Sequence, residues 1–195
     1  MVLDGYASGP DATNRATALA LTRLGGAATV VLVEGISDQI AVETAAACLG
    51  RDLAAERIVV LPIGGAHAIR RVATELGGRL RLAGLCDLAE EEIFRTGLAA
   101  GHPLEVCVAD LEDELLRAVG TEQAEALFAA QGDLGAFRSL QSQPAWRGRE
   151  PHAQMRRFLG SGSRRKSRYA RLLVEAACVR DALPRPLAAL LARVS

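Results

Sequence analysis

Residues 30–39, VVLVEGISDQ, set a β-branched apolar run directly before Glu34-Gly35 and put a second carboxylate at Asp38. Such a run fits a strand covered on both faces. The Ala-rich stretch that follows, 37–49, has helical spacing and stops at Gly50. A buried strand that hands two carboxylates to one turn needs something to offset their charge.

The same grammar recurs downstream. RIVVLPI (57–63) is a second strand, Gly64-Gly65 a turn, and 66–76 a helix closed by Gly77 and Gly78. LRLAGLC (80–86) is a third strand delivering Asp87, and 88–98 a short charged helix. LEVCVA (104–109) is a fourth strand delivering Asp110, with a helix over 112–119. Strands alternating with helices across short glycine turns predict an α/β fold with a small, mostly parallel sheet flanked by helices. The acids at three strand ends are then expected to converge, because the carboxyl edge of such a sheet is its ligand edge.

Either side of this unit the pattern changes. Residues 1–14 read as a loose lead-in, followed by a short helix over 14–24 with Asn14 as its cap. Beyond 121 the reading is helical: 122–141 with a break near Gly132, then 153–159, 164–179 and 186–194. PAWRGREP (144–151) and GSGS (160–163) are loops, and Trp146 is expected to pack rather than to stack on a base. The expected organisation is a lead-in over 1–27, an α/β domain over 28–120 and a basic helical extension over 121–195.

The chain has 195 residues, half of them apolar, enough for one full core. It lacks a long apolar run and a basic-then-apolar leader, which predicts a soluble cytoplasmic protein with no membrane role. Four cysteines without C-x-x-C spacing predict buried free thiols. The formal net charge of zero hides a split: 20 acidic and 10 basic residues over 1–137, but 3 acidic and 13 basic over 138–195. That asymmetry points to a polyanionic partner.

Carboxylates brought together repel, and a divalent cation removes the cost. An all-oxygen set suits Mg²⁺ or Mn²⁺; unrelated solvated acids are the competing reading. Asp38 either joins the cluster or caps its helix. Gly35 would let a phosphate or metal approach the backbone. The Gly64-Gly65 turn is not a phosphate-binding Walker loop, since no G-K-[ST] follows, and His67 beside it is expected to be a surface or capping group. Within DLEDE (110–114), Asp110 and Glu112 are the candidate site residues, with Asp113 and Glu114 as surface or capping groups. Of Glu90, Glu91 and Glu92, one is expected to reach the site. In RRKSRYAR (164–171), Arg164, Arg165, Arg168 and Lys166, the sole lysine, are candidates for phosphate-backbone contact.

Together, VVLVEG-ISD, PIGGAHAI, LAGLCD and VADLEDEL resemble the Toprim domain, closest to the branch found in OLD-family (overcoming lysogenisation defect) nucleases. The resemblance implies a Rossmann-like Toprim fold. It matches Glu34 and Gly35 to the glutamate and glycine that end the first strand, Asp38 to the acid that follows, and Asp87 to the first aspartate of the D-x-D motif. Asp110 and Glu112 resemble the later acidic motif. Lys166 is matched to the lysine that assists phosphoryl transfer.

Two departures stand out. Ala89 occupies the second aspartate position, so that Glu90 or Glu91 would have to substitute. No Walker loop is present either, so an ATPase of the kind OLD proteins carry would have to come from a separate protein.

The activity so implied is metal-dependent phosphodiester hydrolysis, most simply endonucleolytic cleavage of DNA. Glu34 and Lys166 would be catalytic, and Glu34, Asp38, Asp87, Asp110 and Glu112 would hold Mg²⁺ or Mn²⁺. An RNA-processing nuclease is the alternative enzyme. A catalytically weak module that binds nucleic acid or a partner ATPase is the alternative from another class, and Ala89 favours it. A homodimer stays open.

Overall fold

The apolar run at 29–33 forms one of the two interior strands of the sheet. The computed structural model describes residues 6, 7, 9 and 11–194, with Ser163 described by its backbone alone. The rest of the expected lead-in (residues 1–5, 8 and 10) and residue 195 lie outside the described residues. Strands β1 (Thr29–Val33), β2 (Ile58–Pro62), β3 (Arg81–Asp87) and β4 (Leu104–Cys107) pair in the order β2-β1-β3-β4, every pairing parallel. The chain leaves β1 in one direction to make β2 and returns to its other side for β3. Strand order therefore reverses at the β1–β3 junction, the place where an open α/β sheet binds ligands.

β1 is covered on both faces, as its continuous β-branched run requires; Val30 to Val33 are each 0% exposed. Val31 and Val33 point into one core with Val60, Leu85, Ile40, Leu115 and Leu173. Val30 and Leu32 point into the other with Leu61, Ile69, Phe94 and Leu98. Helices α3 (Ile69–Leu76) and α4 (Glu91–Leu98) belong to the second core. Helix α2 (Ile36–Cys48) belongs to the first, and α1 (Ala12–Thr22) lies along β2, where Thr17 Oγ1 donates to the Pro62 carbonyl at 2.6 Å. α1 begins two residues earlier than expected, and Asn14 donates its amide to Asp11 at 2.6 Å rather than capping the helix.

Two glycines set how closely these layers approach. A Cβ on Gly84 would lie 2.8 Å from Leu98 Cδ1 and 2.9 Å from Leu104 Cδ1. One on Gly97 would lie 2.5 Å from Ile69 Cγ2 and 3.1 Å from the Arg70 backbone nitrogen.

The C-terminal helices are joined to the first core. They are α5 (Leu111–Val119), α6 (Thr121–Ala130), α7 (Leu134–Ser142), α8 (Pro151–Leu159), α9 (Ser163–Val179) and α10 (Arg185–Arg193). α9 packs along α2 and α5, and α10 against β4 and β3. Phe128, Phe137, Phe158 and Tyr169 form one aromatic cluster with ring centroids 5.0–5.3 Å apart. Each tilted or edge-on pair contributes about 0.5–1.5 kcal/mol beyond its buried area, which ties α6, α7, α8 and α9 of the basic extension to one another, while α9 and α10 join them to the body. Trp146 packs at the margin of the same core.

The cysteines correct the sequence expectation in part. Cys86 and Cys107 are buried, but Cys48, at the outward end of α2, is exposed and Cys178 is half-buried; all four are free thiols. Among the described residues no helix is long and apolar enough to cross a membrane.

Candidate metal centre

β1 and β3 are neighbours, with Val33 opposite Leu85, so their last residues emerge side by side at the carboxyl edge. Glu34 follows β1 directly, and Asp87 ends β3. The Glu34 carbonyl accepts N–H bonds from Gly64 and Gly65, both at 3.1 Å. That double clamp needs φ of +79° and +113°, a region glycine enters without strain, so the glycine pair fixes the Glu34 backbone while lining the cleft. Gly35, by contrast, is extended, and a Cβ there would meet Asp38 Oδ2 only at an ordinary 3.8 Å.

Asp38 braces its helix: its Oδ2 accepts the Gly35 N–H at 2.9 Å in the first turn of α2. It stands outside the group formed by Glu34, Asp87 and Glu90, though it lines the same cleft as Glu34, Asp87 and Lys166. This cleft, about 450 Å³, also takes in Asp11, Thr13 and Asn14 from the start of α1 and Ser167 from α9.

After Asp87 the chain makes one turn of 3₁₀ helix, Leu88–Glu90, before α4. In 3₁₀ geometry residues i and i+3 eclipse, so Glu90 returns to the side of Asp87 while Ala89 is exposed. One carboxylate oxygen each from Glu34, Asp87 and Glu90 lie within 4.8 Å of one another. Of the three glutamates after Ala89, Glu90 is the one whose carboxylate comes beside those of Glu34 and Asp87. Glu91 pairs with Arg95 at 2.6 Å, and Glu92 is exposed.

The later acids form a second group. Asp110 caps α5, its Oδ1 accepting the Asp113 N–H at 2.8 Å, and its Oδ2 meets Arg156 at 2.7 Å. Glu112 is buried, with Lys166 Nζ 3.3 Å from its Oε2. Glu114, also buried, accepts the Val108 N–H at 2.9 Å and pairs with Arg117 at 2.8 Å, which closes the strand early at Cys107. Asp113 pairs with Arg117 at 2.9 Å. Arg156 had no signal in the sequence, because nothing in its helix predicts a partner 46 residues earlier.

The electrostatics follow from this crowding. Burial, then Asp38 and Glu34, push the Asp87 carboxyl up to about 8. Burial raises Glu112 to about 7, against the pull of Lys166. Glu34 is raised by burial, Asp38 and Glu90, and Asp38 by burial and Asp110. Burial opposes the charge on Lys166, but Glu112 and Asp38 outweigh it and raise the ammonium above its ordinary range.

In the basic segment, Arg164 is exposed. Arg165 lies 4.0 Å over the Phe158 ring and donates to the Phe158 carbonyl at 3.3 Å. Arg168 pairs with Asp133, which also accepts the Tyr169 hydroxyl at 2.9 Å. His67 is exposed.

Residues 27–82 match the family model described as "Overcoming lysogenization defect protein-like, TOPRIM domain". The match takes in Glu34, Asp38 and the glycine pair but ends before Asp87. The fold is similar to the C-terminal region of the Burkholderia pseudomallei OLD protein, with TM-score 0.57 and 16% identity over 87% of this chain and 99% of that one. It is also similar to the C-terminal region of the Xanthomonas campestris pv. campestris OLD protein, with TM-score 0.57 and 19% identity over 86% and 94%. No curated protein matches the chain. The Toprim resemblance read from the sequence holds, with an acidic cluster at the carboxyl edge that could hold a cation.

Proposed function

We propose, on the premise that residues 27–82 are an OLD-like Toprim segment, that the chain hydrolyses phosphodiester bonds of DNA endonucleolytically with Mg²⁺ or Mn²⁺. The observation that carries the proposal is the Glu34, Asp87 and Glu90 set at the sheet's switch point, with Lys166 across the same cleft. The donor set fits a hard divalent cation: three carboxylates, all oxygen, close enough to share one ion. Glu90 also weighs against the binding-module alternative, since it brings a third carboxylate to the site despite Ala89.

An ion bound there supplies charge neutralisation at the scissile phosphate and a more acidic water. The protein's own part is positioning. The Gly64 and Gly65 amides hold the Glu34 backbone in place, and the 3₁₀ turn sets Glu90 beside Asp87. Lys166 offsets charge developing on the phosphoryl oxygens, while Asp38, Asp110 and Glu112 complete the acidic wall behind it. Arg164 contacts the phosphate backbone without reading sequence. Arg165 and Arg168 support α9 through Phe158 and Asp133. An ATPase is the partner this reading implies.

The test is cleavage of supercoiled plasmid and of single-stranded RNA by purified protein with Mg²⁺, Mn²⁺ or EDTA, beside Glu34→Gln. Metal-dependent plasmid nicking lost in the variant supports the proposal. Cleavage confined to RNA would move the substrate, and absence of cleavage on both, with salt-sensitive binding retained, would sink the enzyme.

A further inference from the structure

The six acids at the carboxyl edge are not equivalent in charge balance. Glu112 is paired with Lys166 at 3.3 Å, and Asp110 with Arg156 at 2.7 Å and with its own helix N-terminus. Asp38, braced on the Gly35 amide, lines the cleft that Lys166 enters. Glu34, Asp87 and Glu90 make no ion pair among the described residues, though one oxygen of each shares a space 4.8 Å across. Among the described residues, then, no cationic side chain pairs with the outer three carboxyls, while the inner half already holds two, Lys166 and Arg156.

From this asymmetry we infer that Lys166 is the resident cation of the inner half, so that the resting chain takes up one divalent ion, at Glu34, Asp87 and Glu90, and not two. The inference rests on the proposed metal chemistry and deepens it. A second dication between Asp38 and Glu112 would have to enter beside the ammonium that Glu112 already binds, and like charges at that range repel. Lys166 comes from α9, which packs along α2, the helix that carries Asp38. Its approach to the inner acids is therefore built into the fold rather than into a surface rotamer. Lysine suits this role, being a compact point charge on a flexible stem. Replacing it should vacate a cation position; removing Glu112 should not disturb the ion on the outer three.

The experiment is Mn²⁺ titration of the full chain without nucleic acid, followed by calorimetry and by loss of the free-ion paramagnetic resonance signal. Thermal melts of each variant check the fold. Wild type is expected to bind one ion, Glu34→Gln to bind at least tenfold more weakly, and Lys166→Met to rise to two. Glu112→Gln is expected to stay at one with affinity within about threefold. Two ions on wild type would overturn the inference and leave the metal reading standing, as would a folded Lys166→Met that still binds one. Loss of the ion in Glu112→Gln would place that carboxylate on it, which likewise overturns the inference and spares the metal reading. No binding to wild type at all would remove both.

Discussion

Asp87 and Glu90 stand either side of a single 3₁₀ turn, and each contributes an oxygen to a space no wider than 4.8 Å that Glu34 shares. The tighter period of that turn brings residues three apart into line; in an α-helical turn positions 90 and 91 would both approach that face. Glu90→Gln is therefore expected to weaken Mn²⁺ binding by about tenfold or more, roughly 1.4 kcal/mol, with Glu91→Gln near wild type. Parallel calorimetric titrations check this, and equal effects at the two positions would refute the assignment of Glu90.

The raised carboxyls make a prediction about pH. Where the folded pKa lies above the unfolded one, the folded state binds more protons and stability falls as pH rises. For Asp87 that window runs from its ordinary value to about 8, and for Glu112 to about 7. Metal-free protein should thus lose stability between pH 5 and 8 on account of these groups, and the Asp87→Asn variant should lose less. Thermal melts across that range, in EDTA, supply the check. Added Mg²⁺ should recover stability most at the alkaline end, because bound cation favours the ionised carboxylates.

Much of this was legible in the sequence, and the reasons are local. Val30 to Val33 announce a doubly covered strand because burial on both faces leaves no polar alternation. Glycines at 25, 50, 64 and 77 punctuate the elements. Glu34, Asp87 and Asp110 could be singled out because each follows an apolar run, and Asp38 because it falls in the turn after the first. Glu90 could not be separated from its two neighbours, since the choice depends on whether the turn after Asp87 is 3₁₀ or α. Nor could the partners of Asp110 and Glu112 be named. They come from α8 and α9, which reach α5 only through tertiary packing that no local pattern announces.

The closeness of α4 to α3 and the sheet depends on two absent side chains. Gly97→Ala would drive a methyl against Ile69 and the Arg70 backbone, and Gly84→Ala against Leu98 and Leu104. Overpacking of this kind costs about 1–3 kcal/mol. Gly97→Ala is expected at the upper end because the backbone at Arg70 cannot swing aside, whereas the contacts at Gly84 are the ends of leucines. Chemical denaturation of the two variants would rank them, and the opposite order would mean that α4 shifts more easily than the leucines repack.

Arg164 and Arg168 lie one helical turn apart on α9 but have different surroundings, and DNA binding should separate them. Arg164 is exposed, so its loss should remove a phosphate contact and little else. The slope of log K against log salt should fall by about 1 in magnitude, weakening all sequences alike. Arg168 is tied to Asp133, the carboxylate that also holds the Tyr169 hydroxyl beside the aromatic cluster. Removing that arginine leaves a half-buried carboxylate short of a partner, so Arg168→Ala should lower the melting temperature while leaving the salt slope nearly unchanged. Fluorescence anisotropy on a DNA duplex at several salt concentrations, beside thermal melts, distinguishes the two. A salt slope that falls for Arg168→Ala with no loss of stability would make that arginine a DNA contact rather than a support for α9.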